Sequence, residues 1–457
     1  MYDRDFDEAV DYIYSLAGLG WKPGLERFST LCERLGNPQE KLRTIHIGGT
    51  NGKGSTAAMV SSILKSAGYR VGTYYSPYVY DIRERVQLDG RMIGESSFAR
   101  LINIIRPHAA ALAETEMGHP TEFEVKTALG LLYFVEQNAD FAVLEVGLGG
   151  RLDATNVVTP LVSVITNVSM DHMDRLGDTI AEIAAEKAGI IKQNGHLVTA
   201  AADPEALSVI RRTCEEQSSL LWHVHPADGS GNCFAIGPIP GSLTPALRES
   251  PVLTVLGMNS AYSGLKLGMK GEFQLINAAT AVGAVEALQR KGIGIPESAI
   301  RSGLESAYLP GRLEVLRTAP TLLIDAAHNL DGARNLARAL KSSFTYEKLI
   351  LVMGMVTGHS VADVVGTLAP LADRFYATAP DSPRAVPASA VAEVAKAHCP
   401  KALQVEPVRE AVRQALEAAS KDDLVCVTGS FYTISEVPRP PSRRTVEDVN
   451  FSVTSAV

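Results

Sequence analysis

A chain of 457 residues exceeds what a single hydrophobic core serves, so about two or three domains are expected. With 46% hydrophobic and 21% charged residues it has the composition of an ordinary globular protein, which excludes a fibrous or disordered chain. Lys and Arg number 43 against 51 Asp and Glu, a net charge of −8, which excludes a surface built to grip nucleic acid or an anionic membrane. Any anionic substrate must then meet positive charge arranged locally.

The N-terminus, MYDRDFDEAV, is acidic where a signal peptide is basic and then apolar, and runs such as Thr127–Val135 fall short of a bilayer span. The five cysteines, Cys32, Cys214, Cys233, Cys399 and Cys426, are scattered and lack C-x-x-C spacing, so neither a disulfide framework nor a zinc site is indicated. A cytoplasmic protein with reduced thiols is expected. From about residue 42, short β-branched runs alternate with amphipathic helical ones, as in a parallel sheet covered by helices. Thr44–Ile47 reads as a strand, and Ser55–Gly68 as a helix with a glycine stop. Phe141–Val146 and Leu161–Thr166 read as further strands, with a helix near Thr179–Ala188. Residues 197–270, rich in Gly, Pro and Ser, read as an irregular or antiparallel edge, and a long helix follows from about Gln274 to Lys291. The segment Leu309-Pro310-Gly311-Arg312 interrupts the pattern, and a second alternating series follows with TLLID, KLILVMG, DRFYAT and DLVCVTGS as strands. The expected organisation is therefore an α/β domain over 1–297 and a smaller Rossmann-like α/β domain over 298–437. Residues 438–457, charged and proline-rich without period, read as a disordered tail.

Between the first strand and its helix lies HIGGTNGKGST, residues 46–56. A strand before and a helix N-terminus after make a phosphate loop: glycines turn backbone N–H groups inward, Lys53 reaches the outer phosphates, and the Ser55 hydroxyl joins Mg²⁺ coordination. Yet the spacing departs from G-x-x-x-x-G-K-[ST], since three residues separate Gly48 from Gly52 and Gly54 separates Lys53 from Ser55. The plain alternative, a glycine-rich turn with a surface lysine, needs one glycine, not four.

LEVGLGGRLDATN, Leu144–Asn156, places Glu145 at the carboxyl end of a strand, where ligands bind in open α/β sheets. A flexible loop with a solvated Arg151–Asp153 pair fits that stretch alone equally well. In Thr166–Ile190, Asp171 and His172 again follow a strand and Lys187 sits in the next helix; a structural histidine and a solvated lysine are the bland readings. His223 and His225 lie in the irregular region with no third ligand near them in sequence and stay unassigned.

GTNGKGS, the YSP of Tyr75–Pro77, LEVGLGGRLDATN, Asp171–His172, EKAGI at Glu186–Ile190, PGRLE at Pro310–Glu314 and DAAHN at Asp325–Asn329 together resemble the folylpolyglutamate synthase/dihydrofolate synthase family of the ATP-dependent Mur-ligase superfamily. The resemblance runs in order from about Gly24 to Glu436, and the glycine after the lysine is that family's variant of the phosphate loop. It implies an N-terminal P-loop ATPase-type domain and a reaction in which ATP phosphorylates a folate-side carboxylate. The amino group of L-glutamate then attacks the acyl phosphate. A bare carboxylate has no usable leaving group; phosphorylation supplies one while placed cations absorb the transferred charge.

The resemblance also implies site residues. Thr50, Asn51, Gly52, Lys53, Gly54 and Ser55 match the triphosphate cradle, and Asn277, Arg312, Asp325 and His328 further nucleotide contacts. Ser55, Ser76, Glu145, His172 and Lys187 match a magnesium set for two ions, in which the lysine is carried as a carbamate; Lys53, His172 and Lys187 are the catalytic group. Gly24, Leu25, Glu26 and Arg27, then Thr121, Glu122, Phe123 and Glu124, then Leu152, Asp153 and Ala154 match contacts to the pterin-bearing substrate. The implied partners are ATP, L-glutamate and dihydropteroate or a reduced folate, on a monomer.

Three departures stand out. Tyr78 and Phe273 occupy positions where the family commonly has histidine, and MVTGHS follows Gly354 where it usually has a D-K-D-like run. A muramyl-peptide ligase of the same superfamily is the alternative enzyme, against which Gly54 stands. A nucleotide-binding module without catalysis is the alternative class, against which Glu145, His172 and Lys187 stand.

Overall fold

The computed structural model describes residues 2–20, 22–225, 233–238 and 252–438. The expected tail, 438–457, lies outside them from residue 439 onward. The chain divides into two compact units: Met1–Arg312 with Arg334–Thr345, and Leu313–Ala333 with the chain from Tyr346. The division falls after Arg312 and not at 297/298, because the helix Glu297–Ser306 packs on the helix Lys53–Ser66, with Gly303 set directly against the Ile63 backbone.

Among the described residues eleven strands form the sheet of the first unit. They are β1 Thr44–Gly48, β2 Val71–Tyr74, β3 Val86–Leu88, β4 Arg91–Met92, β5 Phe141–Glu145, β6 Val162–Ile165, β7 His196–Thr199, β8 Leu220–Val224, β9 Cys233–Pro238, β10 Val252–Leu256 and β11 Ala261–Lys266. The spatial order is β11-β10-β9-β8-β7-β6-β1-β5-β2-β3-β4. From β9 to β2 the strands run parallel, and antiparallel pairs close both edges. β1 sits centrally between β5 and β6, so it is buried along its whole length. That burial on both faces explains why the central strands read as nearly continuous apolar runs.

The helices Lys53–Ser66, Phe273–Arg290 and Glu297–Ser306 pack with Ile45, Ile47, Val143 and Val164 in one core. The helices Tyr2–Ser15, Glu26–Arg34, Glu95–Ala113 and Glu122–Glu136 form a second core with Leu144 and Tyr74. The expected irregular or antiparallel edge over 197–270 holds for β9 to β11 but fails before them. There β7 and β8 run parallel around a helix, Pro204–Glu216. Asp203 caps that helix, and Ala206, Val209, Ile210 and Cys214 bury one face of it at helical spacing.

The second unit holds a six-stranded sheet, β12 Glu314–Thr318, β13 Thr321–Ile324, β14 Leu349–Met353, β15 Arg374–Ala377, β16 Ala402–Gln404 and β17 Leu424–Thr428. Its order is β12-β13-β17-β14-β15-β16, parallel except for β12. The four expected strands are β13, β14, β15 and β17; β12 and β16 are additions. Cys32, Cys214, Cys399 and Cys426 are free and buried. Among the described residues no helix is long and apolar enough to cross a membrane.

Candidate active site

The phosphate-loop sequence lies between β1 and the helix Lys53–Ser66, at the carboxyl edge of the parallel strands. Gly52 caps that helix at φ 83°, ψ −8°, left-handed backbone, and a side chain there would collide with the Asn277 amide. The loop is stitched to the segment leaving β6. Thr50 N donates to Asn167 O (2.9 Å), Asn51 N to Asn167 Oδ1 (2.7 Å), and Thr166 Oγ1 to Asn51 O (2.6 Å). Lys53 folds back on the loop, its Nζ donating to Gly49 O (3.2 Å) and Thr50 O (3.0 Å). A loop pinned in place before a helix N-terminus, with an ammonium folded against it, suits an anionic oligophosphate.

Gly54 explains the altered spacing. A Cβ at this position would lie 3.0 Å from Leu309 Cδ2 and 3.3 and 3.6 Å from the two Glu145 carboxylate oxygens. Glu145, the last residue of β5, is 4% exposed. Among the described residues one hydrogen bond reaches its carboxylate, from Ser76 N to Oε2 (2.9 Å). Burial pushes this carboxyl above the ordinary range, while Lys53, the Ser76 N–H, Arg312 and Arg85 pull it down. A buried carboxylate so sparsely partnered, with a backbone left bare in front of it, suits a hard divalent cation.

Lys187, in the helix Ile180–Ala188, is 3% exposed and donates to Gly49 O (3.0 Å). Burial first, and then the like charge of Lys53, lower its pKa to about 7, against the attraction of Asp171. His172 caps a short helix, Met173–Leu176, at φ 48°, ψ 43°, backbone that a non-glycine residue adopts at a cost. Its Nε2 stands 4.0 Å from Asp171 Oδ2. Among the described residues no three His, Cys, Asp or Glu side chains gather as a metal cage. The candidate set is instead one glutamate, one histidine, two serines and a lysine.

Gln274 escaped the residue-level reading. Its Nε2 donates to Ser55 Oγ (3.3 Å) and its Oε1 accepts from Asn277 Nδ2 (2.8 Å), so it joins the helix Phe273–Arg290 to the loop. The signal was its place in Q-x-x-N, one helical turn before Asn277.

The residues expected on the folate side are drawn together, but partly onto one another. Arg27 forms a buried bidentate pair with Glu124 (2.9 and 3.0 Å), and the same carboxylate closes a capping box with Thr121 at the head of the helix Glu122–Glu136. Asp153 accepts from Gly147 N (3.0 Å) and Leu148 N (2.9 Å) with Oδ2, and from Thr155 N (3.0 Å) and Thr155 Oγ1 (2.5 Å) with Oδ1. These four side chains therefore hold the walls. Phe123 lies against Gly147 and edge-on to Tyr74 (6.2 Å between centroids), with the Arg85 guanidinium 5.9 Å from its ring. Gly24, Leu25 and the exposed Glu26 lead into the helix Glu26–Arg34, Glu122 pairs with Lys126, and Leu152 and Ala154 flank Asp153. Tyr78, where the family commonly has histidine, hydrogen-bonds its hydroxyl to that of Tyr14 (3.0 Å).

In the second unit, Asp325 directly follows β13 and serves the backbone: Oδ2 accepts from Leu313 N (3.0 Å) and Oδ1 from Ala327 N (2.9 Å). The His328 ring lies tilted against that of His359 of MVTGHS (4.9 Å between centroids) and neighbours Phe431 (6.0 Å), so loops after β13, β14 and β17 meet at one carboxyl edge. Its Nδ1–H donates to Ala326 O (2.8 Å).

The Mur ligase middle domain model matches residues 47–285, and the Mur ligase glutamate ligase domain model residues 311–431. The chain is 37% identical over 434 residues to the dihydrofolate synthase/folylpolyglutamate synthase of Bacillus subtilis, covering 94% of this chain and 98% of that one. It aligns with Mycobacterium tuberculosis folylpolyglutamate synthase, solved with ADP and AMPPCP, at a TM-score of 0.86 and 32% identity, covering 94% and 97% of the two chains. With the bifunctional folylpolyglutamate synthase/dihydrofolate synthase of Yersinia pestis, solved with AMPPNP and a Mn ion, the TM-score is 0.79 at 30% identity, covering 94% and 96%.

Proposed function

This chain belongs to the folylpolyglutamate synthase/dihydrofolate synthase family of the Mur ligases, and from that membership we infer that it is an ATP-dependent ligase adding L-glutamate to a folate-type carboxylate. The carboxylate is that of dihydropteroate, of a tetrahydrofolate, or of both in turn. The product is an amide, with ADP and phosphate released by way of an acyl phosphate. The observation that carries this reading is the glycine-bared approach of the phosphate loop to Glu145, because it sets an anion cradle and a cation-seeking carboxylate on one reaction coordinate.

In this mechanism Lys53 exchanges the Gly49 and Thr50 carbonyls for phosphate oxygens and neutralises the group in flight. Gln274 orients Ser55, and Asn277 lies over Gly52. Bound Mg²⁺ supplies Lewis-acid neutralisation of the phosphates; Ser55, Ser76, Glu145, His172 and Lys187 would hold it, as two ions. Lys187 suits that duty as a carbamate. With its pKa at about 7, much of the amine is neutral at neutral pH; its lone pair attacks CO₂, a proton leaves, and an anion replaces a cation. Arg312 completes the nucleotide contacts of the first unit, and Phe123 with the Leu152–Ala154 segment lines the pterin side.

The reading carries with it a cytoplasmic, monomeric enzyme. ADP release measured with dihydropteroate or a reduced folate plus glutamate, beside a UDP-muramyl peptide, tests it. Turnover of a folate substrate and not the muramyl peptide is the expected result; the reverse, or ADP release independent of either, overturns it.

A further inference from the structure

Resting on that reading, we propose that His46 is a positioning residue of the ligase reaction: its ring holds the Thr155 hydroxyl, and through it Asp153, so that the Gly147–Ala154 loop presents one fixed face to the folate-side substrate. His46 lies in the middle of β1 between Ile45 and Ile47, is 0% exposed, and points to the opposite face from both. Its Nε2 is 2.8 Å from Thr155 Oγ1, which is 2.5 Å from Asp153 Oδ1.

The direction of this chain follows from what each group can do. Both Asp153 oxygens face donors only, so the single hydroxyl proton of Thr155 goes to Asp153. The hydroxyl oxygen then accepts, and His46 must carry its hydrogen on Nε2. Nδ1 is left a bare acceptor, and it has no hydrogen-bond partner among the described residues. A buried acceptor without a donor costs free energy that an aliphatic side chain in β1 would not. Core packing alone therefore gives no reason for an imidazole here, whereas the relay does. Burial and the nearby Lys192 push the ring down to about 3, so it stays neutral and the relay keeps one protonation state across the neutral range.

The relay ends on backbone that matters. Asp153 Oδ2 gathers the N–H groups of Gly147, against which Phe123 packs, and of Leu148, the residues two and three positions after Glu145. β1 itself runs on into the phosphate loop. One strand thus sets both the nucleotide arm and, by way of His46, the folate arm.

Steady-state ADP release with varied folate and varied ATP tests the assignment on wild type, His46→Leu, His46→Gln, Thr155→Val and the Leu/Val double variant, each with a thermal melt. His46→Leu and Thr155→Val should raise KM for the folate about tenfold while leaving KM for ATP within about twofold. The double variant should be no worse than either single one, as for two members of one chain. His46→Gln, which restores a side-chain N–H donor, should recover most of the loss. A folate KM within about twofold of wild type in folded His46→Leu overturns the role. So does a parallel rise in both KM values that glutamine fails to rescue, which is the mark of a merely structural residue. Should His46→Leu fail to fold, Thr155→Val, which removes one hydroxyl, carries the same two outcomes. If wild type releases no ADP with any folate, the functional reading falls and this role with it; turnover by wild type with an unmoved KM in the variants sinks this role alone.

Discussion

Substituting Gly54 by alanine adds one methyl group at the point where the phosphate loop meets Glu145. That methyl would sit 3.0 Å from Leu309 Cδ2 and 3.3 Å from Glu145 Oε2. Leu309 is only half-buried and can swing aside, but the Glu145 carboxylate is buried and tethered to Ser76 N, so it cannot retreat without losing that bond. Overpacking costs about 1–3 kcal/mol, and replacing glycine in a helix returns up to about 1 kcal/mol. The net loss of stability should then be about 0–2 kcal/mol, small enough to leave a folded enzyme. The larger effect falls on chemistry, because the methyl covers the carboxylate face a divalent cation must reach. A roughly hundredfold fall in kcat/KM, about 2.7 kcal/mol, is expected, with the Mg²⁺ needed for half-maximal rate rising about tenfold. ADP release titrated against Mg²⁺, paired with a melt, measures both. Wild-type rate and wild-type Mg²⁺ demand in a folded Gly54→Ala protein would refute the argument that Glu145 dictates this glycine; a lowered melt with unchanged Mg²⁺ demand would reduce it to packing.

Lys53→Ala should abolish turnover with the fold intact, since in the proposed mechanism its ammonium is the cation beside the transferring group; activity within about tenfold of wild type, about 1.4 kcal/mol, speaks against that role. Glu145→Gln should raise the Mg²⁺ requirement more than the folate KM, and the opposite order would move Glu145 to the substrate side. Lys187, lowered to about 7, holds its proton as pH falls below that value and then cannot take up CO₂. CO₂-depleted buffer should therefore remove activity at every pH, and bicarbonate should restore it above about 7 and progressively less below, together with a ¹³C carbamate signal; Lys187→Ala showing the same bicarbonate response would discard the carbamate. Lys126 is 5% exposed and lowered to about 8 by burial and Arg85, so the folded state binds fewer protons than the unfolded one between about 8 and the ordinary lysine value of 10.5. Stability should rise with pH across that window and be lost again as pH falls through about 8, by about 3 kcal/mol in full. Denaturant unfolding of Lys126→Met should lack that slope, and an equal slope in both proteins would exclude Lys126 as its source.

The sequence by itself determined those features whose cause is local. The glycines and lysine of residues 48–54 between a strand and a helix specify an anion cradle, because only neighbouring backbone is needed to build one. Glu145 and Asp171–His172 were legible as candidates for the same reason: Glu145 ends β5, Asp171 and His172 lie in the segment leaving β6, and parallel strands share one carboxyl edge. Amphipathic spacing alone would also have disclosed the helix Pro204–Glu216, had the surrounding Gly, Pro and Ser not dominated the reading of that region.

What only the tertiary structure decided are the partners, which lie far along the chain. Gly54 is required by a carboxylate on β5, 91 positions away, that no spacing rule connects to it. Arg27 and Glu124 appear in sequence as two free substrate contacts, yet 97 positions apart they neutralise each other. Lys187 looks like any helix lysine until burial beside Lys53 brings its pKa down to about 7, and His46 looks like core until Thr155, 109 positions later, gives its ring a direction. In each case the deciding quantity is desolvation or a hydrogen-bond partner, and both are set by which strands become neighbours in a parallel sheet. Such neighbours are joined through long crossovers, so their pairing belongs to the folded whole and leaves no mark in any local stretch of residues.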